Sequence, residues 1–179
     1  MRAEKPVLVA VGDVETLAAA ESLIREYLQF IAETARSHYQ LRFDIEAMIA
    51  SDLGDESKFY PPSGRFYLVR YAGGYVGVGC LKCLVASVAE IQRMYVRDAA
   101  RGLGVGRLLV EQLLDDARDM QCRAARLESL RALGAAHALY RSVGFVEIAS
   151  YADNSMKKYQ SPEATESYRA SVLFMELVL

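Results

Sequence analysis

Tryptophan is absent from this 179-residue sequence, and histidine occurs only twice, cysteine three times and proline four times. Each scarcity excludes something. Three cysteines, an odd number, do not make the disulfide framework of a small secreted fold. Cys80 and Cys83 form a C-x-x-C inside a strand-like run, where residues three apart face opposite ways. A zinc site there would have to borrow Cys122, His38, His137 or carboxylates, so reduced thiols and no metal are expected. No apolar run approaches the ~20 residues that span a bilayer. The run Val7–Val11 is too short for the core of a signal peptide, which leaves cytoplasmic residence and no membrane partner as the expectation. Neither sign of charge dominates. A net charge of -2 offers no general attraction to nucleic acid or anionic lipid. What remains, 53% hydrophobic and 25% charged residues, suits one globular domain with a sizeable core.

Two familiar phosphate motifs are also missing. A dinucleotide loop needs G-x-G-x-x-G, and the third glycine would fall on Arg107 or Leu109. A P-loop string, G-x-x-x-x-G-K-[ST], does not occur. Yet Met94 to Leu109, M-Y-V-R-D-A-A-R-G-L-G-V-G-R-L-L, passes from a strand-like run through Gly102, Gly104 and Gly106 into a helical pattern. Backbone N–H groups at such a helix start lack intrahelical partners and can turn to an anion. Arg101 and Arg107 flank the turn with positive charge.

Periodicity orders the rest. Val7–Val11 reads as a strand, and Asp13 as the N-cap of a helix from Val14 to about Ala35. A shorter helix spans Asp44 to Leu53. Asp55 to Arg65, with Pro61, Pro62 and Gly64, reads as loop. Phe66–Ala72 and Tyr75–Val85 flank Gly73-Gly74 as a hairpin. Val88–Val96 is a strand, Val105–Met120 a helix, Arg123–Leu130 a strand and Leu133–Val143 a helix. Phe145–Ala149 and Val172–Leu179 are strands. Ser150 to Ser171 is a polar connection, long enough to be functional or mobile.

The string R-x-x-G-x-G at Arg101, Gly104 and Gly106, with A-x-x-L-Y-x-x-x-G-F from Ala136 to Phe145, resembles the GNAT superfamily of N-acetyltransferases. The resemblance extends over residues 7–179 as one domain. It implies an α/β acyl-CoA N-acyltransferase fold, a mixed, mostly antiparallel central sheet with helices on both faces. It implies acetyl-CoA as acetyl-donor cosubstrate. Residues 101–107 (Arg101, Gly102, Leu103, Gly104, Val105, Gly106, Arg107) would hold its pyrophosphate. The backbone of Met94, Tyr95 and Val96 would pair with its pantetheine arm. Tyr140 corresponds to the tyrosine that protonates the departing thiolate, and Glu90 to the general-base glutamate of histone-acetylating relatives. An amine of pKa ~10 needs such a base near neutral pH. One departure stands out: Leu133 occupies the position where many relatives carry a pantetheine-contacting asparagine.

The expected reaction is acetyl transfer to a primary amine, on a small molecule or peptide, by direct attack in a ternary complex. The alternatives are a non-catalytic or regulatory acyl-CoA-binding module of the same fold, and a nucleotide-binding protein using the same cradle. Glu128 and Ser129 are placed to line an acceptor channel. Glu90, Glu128 and Asp153 would suit a cationic amine, and Tyr151, Asn154 and the Pro61–Arg65 loop could form its mouth. Arg141 and His137 read as packing or surface residues. The apolar last strand and the connection before it are candidate homodimer elements.

Overall fold

The computed structural model describes residues 4–55, 58–84, 87–151, 156 and 165–179. Strand β1 (Val7–Ala10) leads to helix α1 (Val14–Tyr39) through a reciprocal cap. Asp13 Oδ1 accepts from the Thr16 N–H at 2.8 Å while Thr16 Oγ1 accepts from the Asp13 N–H at 3.1 Å. The apolar stripe of α1 stops at Ala35, but the backbone continues one turn further. It ends where Gln40 adopts a left-handed φ of 55° and its N–H returns to Ala35 and Arg36.

Helix α2 (Ile45–Leu53) follows, capped by Asp44, whose Oδ1 accepts from the Ala47 N–H at 3.0 Å. Strands β2 (Gly64–Tyr71) and β3 (Gly74–Leu84) then form the hairpin. Its turn residues are Ala72 and Gly73, both at positive φ (50° and 78°), one position earlier than the glycine pair suggested. Strand β4 (Val88–Val96), helix α3 (Val105–Asp119), strand β5 (Ala124–Leu130), helix α4 (Gly134–Ser142) and strand β6 (Val146–Ile148) complete the middle of the chain.

As the sequence reading expected, the described residues of the Asp55–Arg65 stretch are loop as far as Ser63; Phe59 in it is 1% exposed and packs on Phe66 from the α1 side of the sheet, and Gly64 and Arg65 already belong to β2. Within the long connection lies a helix, α5 (Thr165–Ser171), before strand β7 (Val172–Val178). Tyr168, with small Ser171 as the other buried residue among those described, is too little for periodicity to register. Asp153, Asn154 and most of the rest of the connection lie outside the described residues.

Among the described residues seven strands run in the order β1-β2-β3-β4-β5-β7-β6, and of these only β4 and β5 pair in parallel. Alternation along the strands gives two packed faces. Phe66, Leu68, Val78 and Cys80 meet Leu23, Ile24, Leu28 and Met48 of α1 and α2. Leu81, Ala89, Ile91 and Leu127 meet Val110, Leu113 and Leu114 of α3, with Tyr140 of α4. The fold is therefore an α/β sheet, mostly antiparallel, with helices on both faces. Among the described residues no helix is long and apolar enough to cross a membrane.

Candidate active site

The site begins where the sheet comes apart. Strands β4 and β5 pair only at Val88–Ala124, Ala89–Ala125 and Glu90–Arg126. Beyond Glu90 they separate, and a cavity opens between Gln92, Arg93 and Met94 on one side and Leu127, Glu128 and Ser129 on the other. A bulge in β4 drives the change. Arg93 takes a left-handed φ of 54°, and the register to β3 slips between Val78 and Cys80. Arg93 and Tyr95 thus turn toward α1 and α2, while Met94 packs under α3 beside Gly79. A Cβ on Gly79 would stand 2.9 Å from the Met94 sulfur, so a side chain there would have to push the thioether aside.

The unusual conformation of Arg93 is held by charge. Its Nε donates to Asp52 Oδ2 at 2.5 Å and its Nη2 to Asp52 Oδ1 at 3.1 Å. Lys58 pairs with the same carboxylate, and all three side chains are buried. One α2 aspartate therefore anchors both the bulge and the start of the following loop.

At the far end of β4 lies the glycine turn. Gly102 and Gly104 have φ of 78° and 80°, and a Cβ built on either would meet nothing within 4 Å. Conformation, rather than crowding, requires glycine at both. Helix α3 starts at Gly104 with no side-chain cap and no acidic residue in its first turn, leaving its N–H groups open to an anion. Gly106 is different: its Cβ would come to 3.0 Å from Leu139, so it permits α3 to approach α4. Leu103 is exposed at the tip, and Val105 is buried below it. Arg101 donates through Nε to the Val96 carbonyl at 3.2 Å, pairs with Asp98 at 2.8 Å and lies over the Phe30 ring. Arg107 reaches Ser142 of α4 at 2.7 Å and Glu111 at 3.2 Å.

The cavity joins the open β4 edge to the remaining candidates. Glu90, Glu128, Ser129 and Tyr140 all line it, with apolar walls from Leu28, Ile31, Phe43 and Met48 and with Tyr27 and Tyr168. Glu90 is buried; Gln92 Nε2 donates to its Oε1 at 2.7 Å and the Tyr151 hydroxyl donates to its Oε2 at 2.9 Å. Burial, and next the charge and hydrogen bond of Glu90, raise the Tyr151 phenol far above its ordinary value. Both oxygens of Glu128 are enclosed. Burial first, then the Glu90 charge, push the Glu128 carboxyl up to about 8, with Arg93 pulling the other way. Tyr140 is 7% exposed and meets Phe145 edge-to-face, and burial keeps its phenol firmly protonated.

Other sequence candidates fall elsewhere. His137 is buried, its Nε2 3.0 Å from Ser129 Oγ, and burial lowers its pKa. The Pro61–Arg65 stretch does not line this cavity; Arg65 instead approaches Asp116 of α3 at 3.6 Å. Cys80 and Cys83 pack on opposite faces of the sheet, and Cys83 Sγ lies 3.8 Å from Cys122 Sγ. Sequence reasoning missed Tyr27, Gln92, Arg93 and Asp52. Gln92 carried a signal, being two strand residues from Glu90 and so on its face. Asp52 carried none: Arg93 lies forty-one residues on, and Lys58, six residues on, is separated from it by the end of α2 rather than set at a helical spacing.

Comparison with known proteins agrees with the fold. A family model described as the acetyltransferase (GNAT) family matches residues 22–145. An uncharacterized N-acetyltransferase of Dictyostelium discoideum is 37% identical over 92 residues, 51% of this chain and 37% of its own. An uncharacterized N-acetyltransferase of Escherichia coli K12 is 34% identical over 90 residues, 49% of this chain and 54% of its own. The chain thus spans only part of the length of these relatives. An N-acetyltransferase of Thermoplasma acidophilum, solved in complex with coenzyme A, shares the fold with a TM-score of 0.69 at 16% identity, covering 98% of this chain and 99% of that one. The family match runs from α1 to the residue before β6, well over half of the sequence, and the protein belongs to the acetyltransferase (GNAT) family.

Proposed function

We propose that the protein transfers the acetyl group of acetyl-CoA to a primary amine by direct attack within a ternary complex. The observation that carries this reading is the unpaired edge of β4 beyond Glu90, which leads to an uncapped helix start flanked by two arginines. The N–H groups of residues 102–107 would hold the pyrophosphate, and Arg101 and Arg107 would add charge. The backbone of Met94, Tyr95 and Val96 would bind the pantetheine as an added strand does. Acetyl-CoA brings an activated thioester to this edge, where a backbone N–H polarises its carbonyl.

The chain's own side chains then move protons. Tyr140, kept neutral by burial, donates to the leaving thiolate. The acidic wall of Glu90 and Glu128 accepts a proton from the ammonium, which favours a cationic acceptor. The apolar walls at Leu28, Ile31, Phe43 and Met48 favour an amine with an apolar body.

Titration calorimetry should give saturable binding of acetyl-CoA with no binding of ATP or NAD. A thiol-release assay corrected for hydrolysis should then find at least one amine that is turned over. Binding without turnover of any amine would make the protein an acyl-CoA-binding module. Preference for ATP or NAD would overturn the reading.

A further inference from the structure

Glu90 and Glu128 line one cavity from neighbouring strands, yet their surroundings differ. Glu90 receives Gln92 Nε2 on one oxygen and the Tyr151 hydroxyl on the other. Glu128 has both oxygens enclosed, with no hydrogen-bond donor to either among the described residues. A buried carboxyl with neither oxygen paired is expensive in an ordinary fold, and calls for a group that completes it from outside. Because Glu128 lines the space where an acceptor would enter, an incoming ammonium is the donor its chemistry fits.

We propose that Glu128 on β5, and not Glu90 on β4, meets the acceptor ammonium and takes its proton, with Glu90 as a positioning residue that acts through Glu128. This rests on the acetyl-transfer reading. Among the described residues, the charged groups facing Glu128 are Glu90 and Arg93, both from β4. Tyr27 of α1 and Tyr140 of α4 line the same space, and Tyr151 beyond β6 reaches it through Glu90; burial keeps all three phenols protonated. Tyr168 of α5 completes the wall, and β7 sets apolar Phe174 opposite Glu128. Burial above all keeps Glu128 basic, the negative charge of Glu90 adds to it, and Arg93 opposes both.

The proton count closes. The Glu128 carboxylate takes one proton from R–NH₃⁺, freeing the lone pair that forms the new C–N bond as the C–S bond breaks. Tyr140 gives its proton to sulfur and recovers the second proton lost by nitrogen. Glu128 releases its own to solvent, so amide, coenzyme A thiol and one H⁺ result.

The test follows kcat against pH at saturating acetyl-CoA with whichever of tyramine, spermidine or a free N-terminal tripeptide the wild type uses fastest. Side-chain carboxyl ¹³C resonances of the ligand-free protein are titrated alongside. Glu128→Gln should abolish the acidic limb and lower kcat on the order of 100-fold or more, with acetyl-CoA affinity unchanged. Glu90→Gln should retain a limb displaced to lower pH, since a negative neighbour is gone. The resonance lost in Glu128→Gln should move in the same direction. Wild-type turnover with limb and kcat preserved in Glu128→Gln overturns this role alone, as does a limb abolished by Glu90→Gln. No turnover of any amine by the wild type overturns the acetyl-transfer reading, and this role with it.

Discussion

At Gly104 the chain turns with φ of 80° in open space, so any cost of a side chain there comes from the backbone. An L-residue in that region loses about 1–2 kcal/mol, and a β-branched one more. Gly104→Val should lower thermal stability by more than that and weaken coenzyme A binding further, because the N–H groups around it would be re-aimed; melting and calorimetry read the two separately. Gly106→Ala should be milder in stability. Its contact is the flexible end of Leu139, and a helical glycine-to-alanine change recovers up to about 1 kcal/mol of propensity. For Tyr140→Phe, we expect kcat to fall at least about tenfold with coenzyme A affinity within about twofold, since the ring still packs on Phe145; an unchanged kcat would remove its acid role. The glycine spacing and Tyr140 were legible because each is a local pattern. The unpaired oxygens of Glu128 were not, since lacking a partner is a property of the folded neighbourhood.

Strand β4 read as a plain strand, and its defining irregularity was hidden. Nothing local to Arg93 announces a left-handed conformation; Asp52, forty-one residues earlier, fixes it. Asp52→Ala would leave two buried cations, Arg93 and Lys58, around an emptied carboxylate site. Breaking a buried ion pair from one side costs about 3–5 kcal/mol, more than most single substitutions. Urea denaturation should show that loss, and a change below about 1 kcal/mol would mean that the cluster is solvated in solution. Helix α5 was missed for a related reason. Seven residues with a single buried tyrosine carry too short a period to distinguish from polar loop, and packing on β7 and α1 decides its state.

Across the molecule, element order made the α/β class legible, but the insertion of β7 between β5 and β6 is a matter of pairing that periodicity does not encode. The β1–β4 and β5–β7–β6 halves of the sheet join through three paired positions, and the second half carries Glu128 into the gap. That placement makes one carboxyl felt by the stability of the whole fold. The folded protein holds the Glu128 proton up to about pH 8, whereas the unfolded chain releases it near 4.5. Its contribution is fully present below 4.5 and is lost as pH rises through the folded value, by about 1.4 kcal/mol per unit across that window. Partial exposure of the residue reduces the sum to a few kcal/mol. Glu128→Gln removes the titration without removing the side chain. Thermal melts of the two proteins should therefore keep a constant separation below about pH 4.5. Above it, Glu128→Gln should gain steadily on the wild type until about pH 8 and then level off. Parallel melting curves across the whole range would mean that the carboxyl titrates alike in both states, and that water reaches it in the cavity.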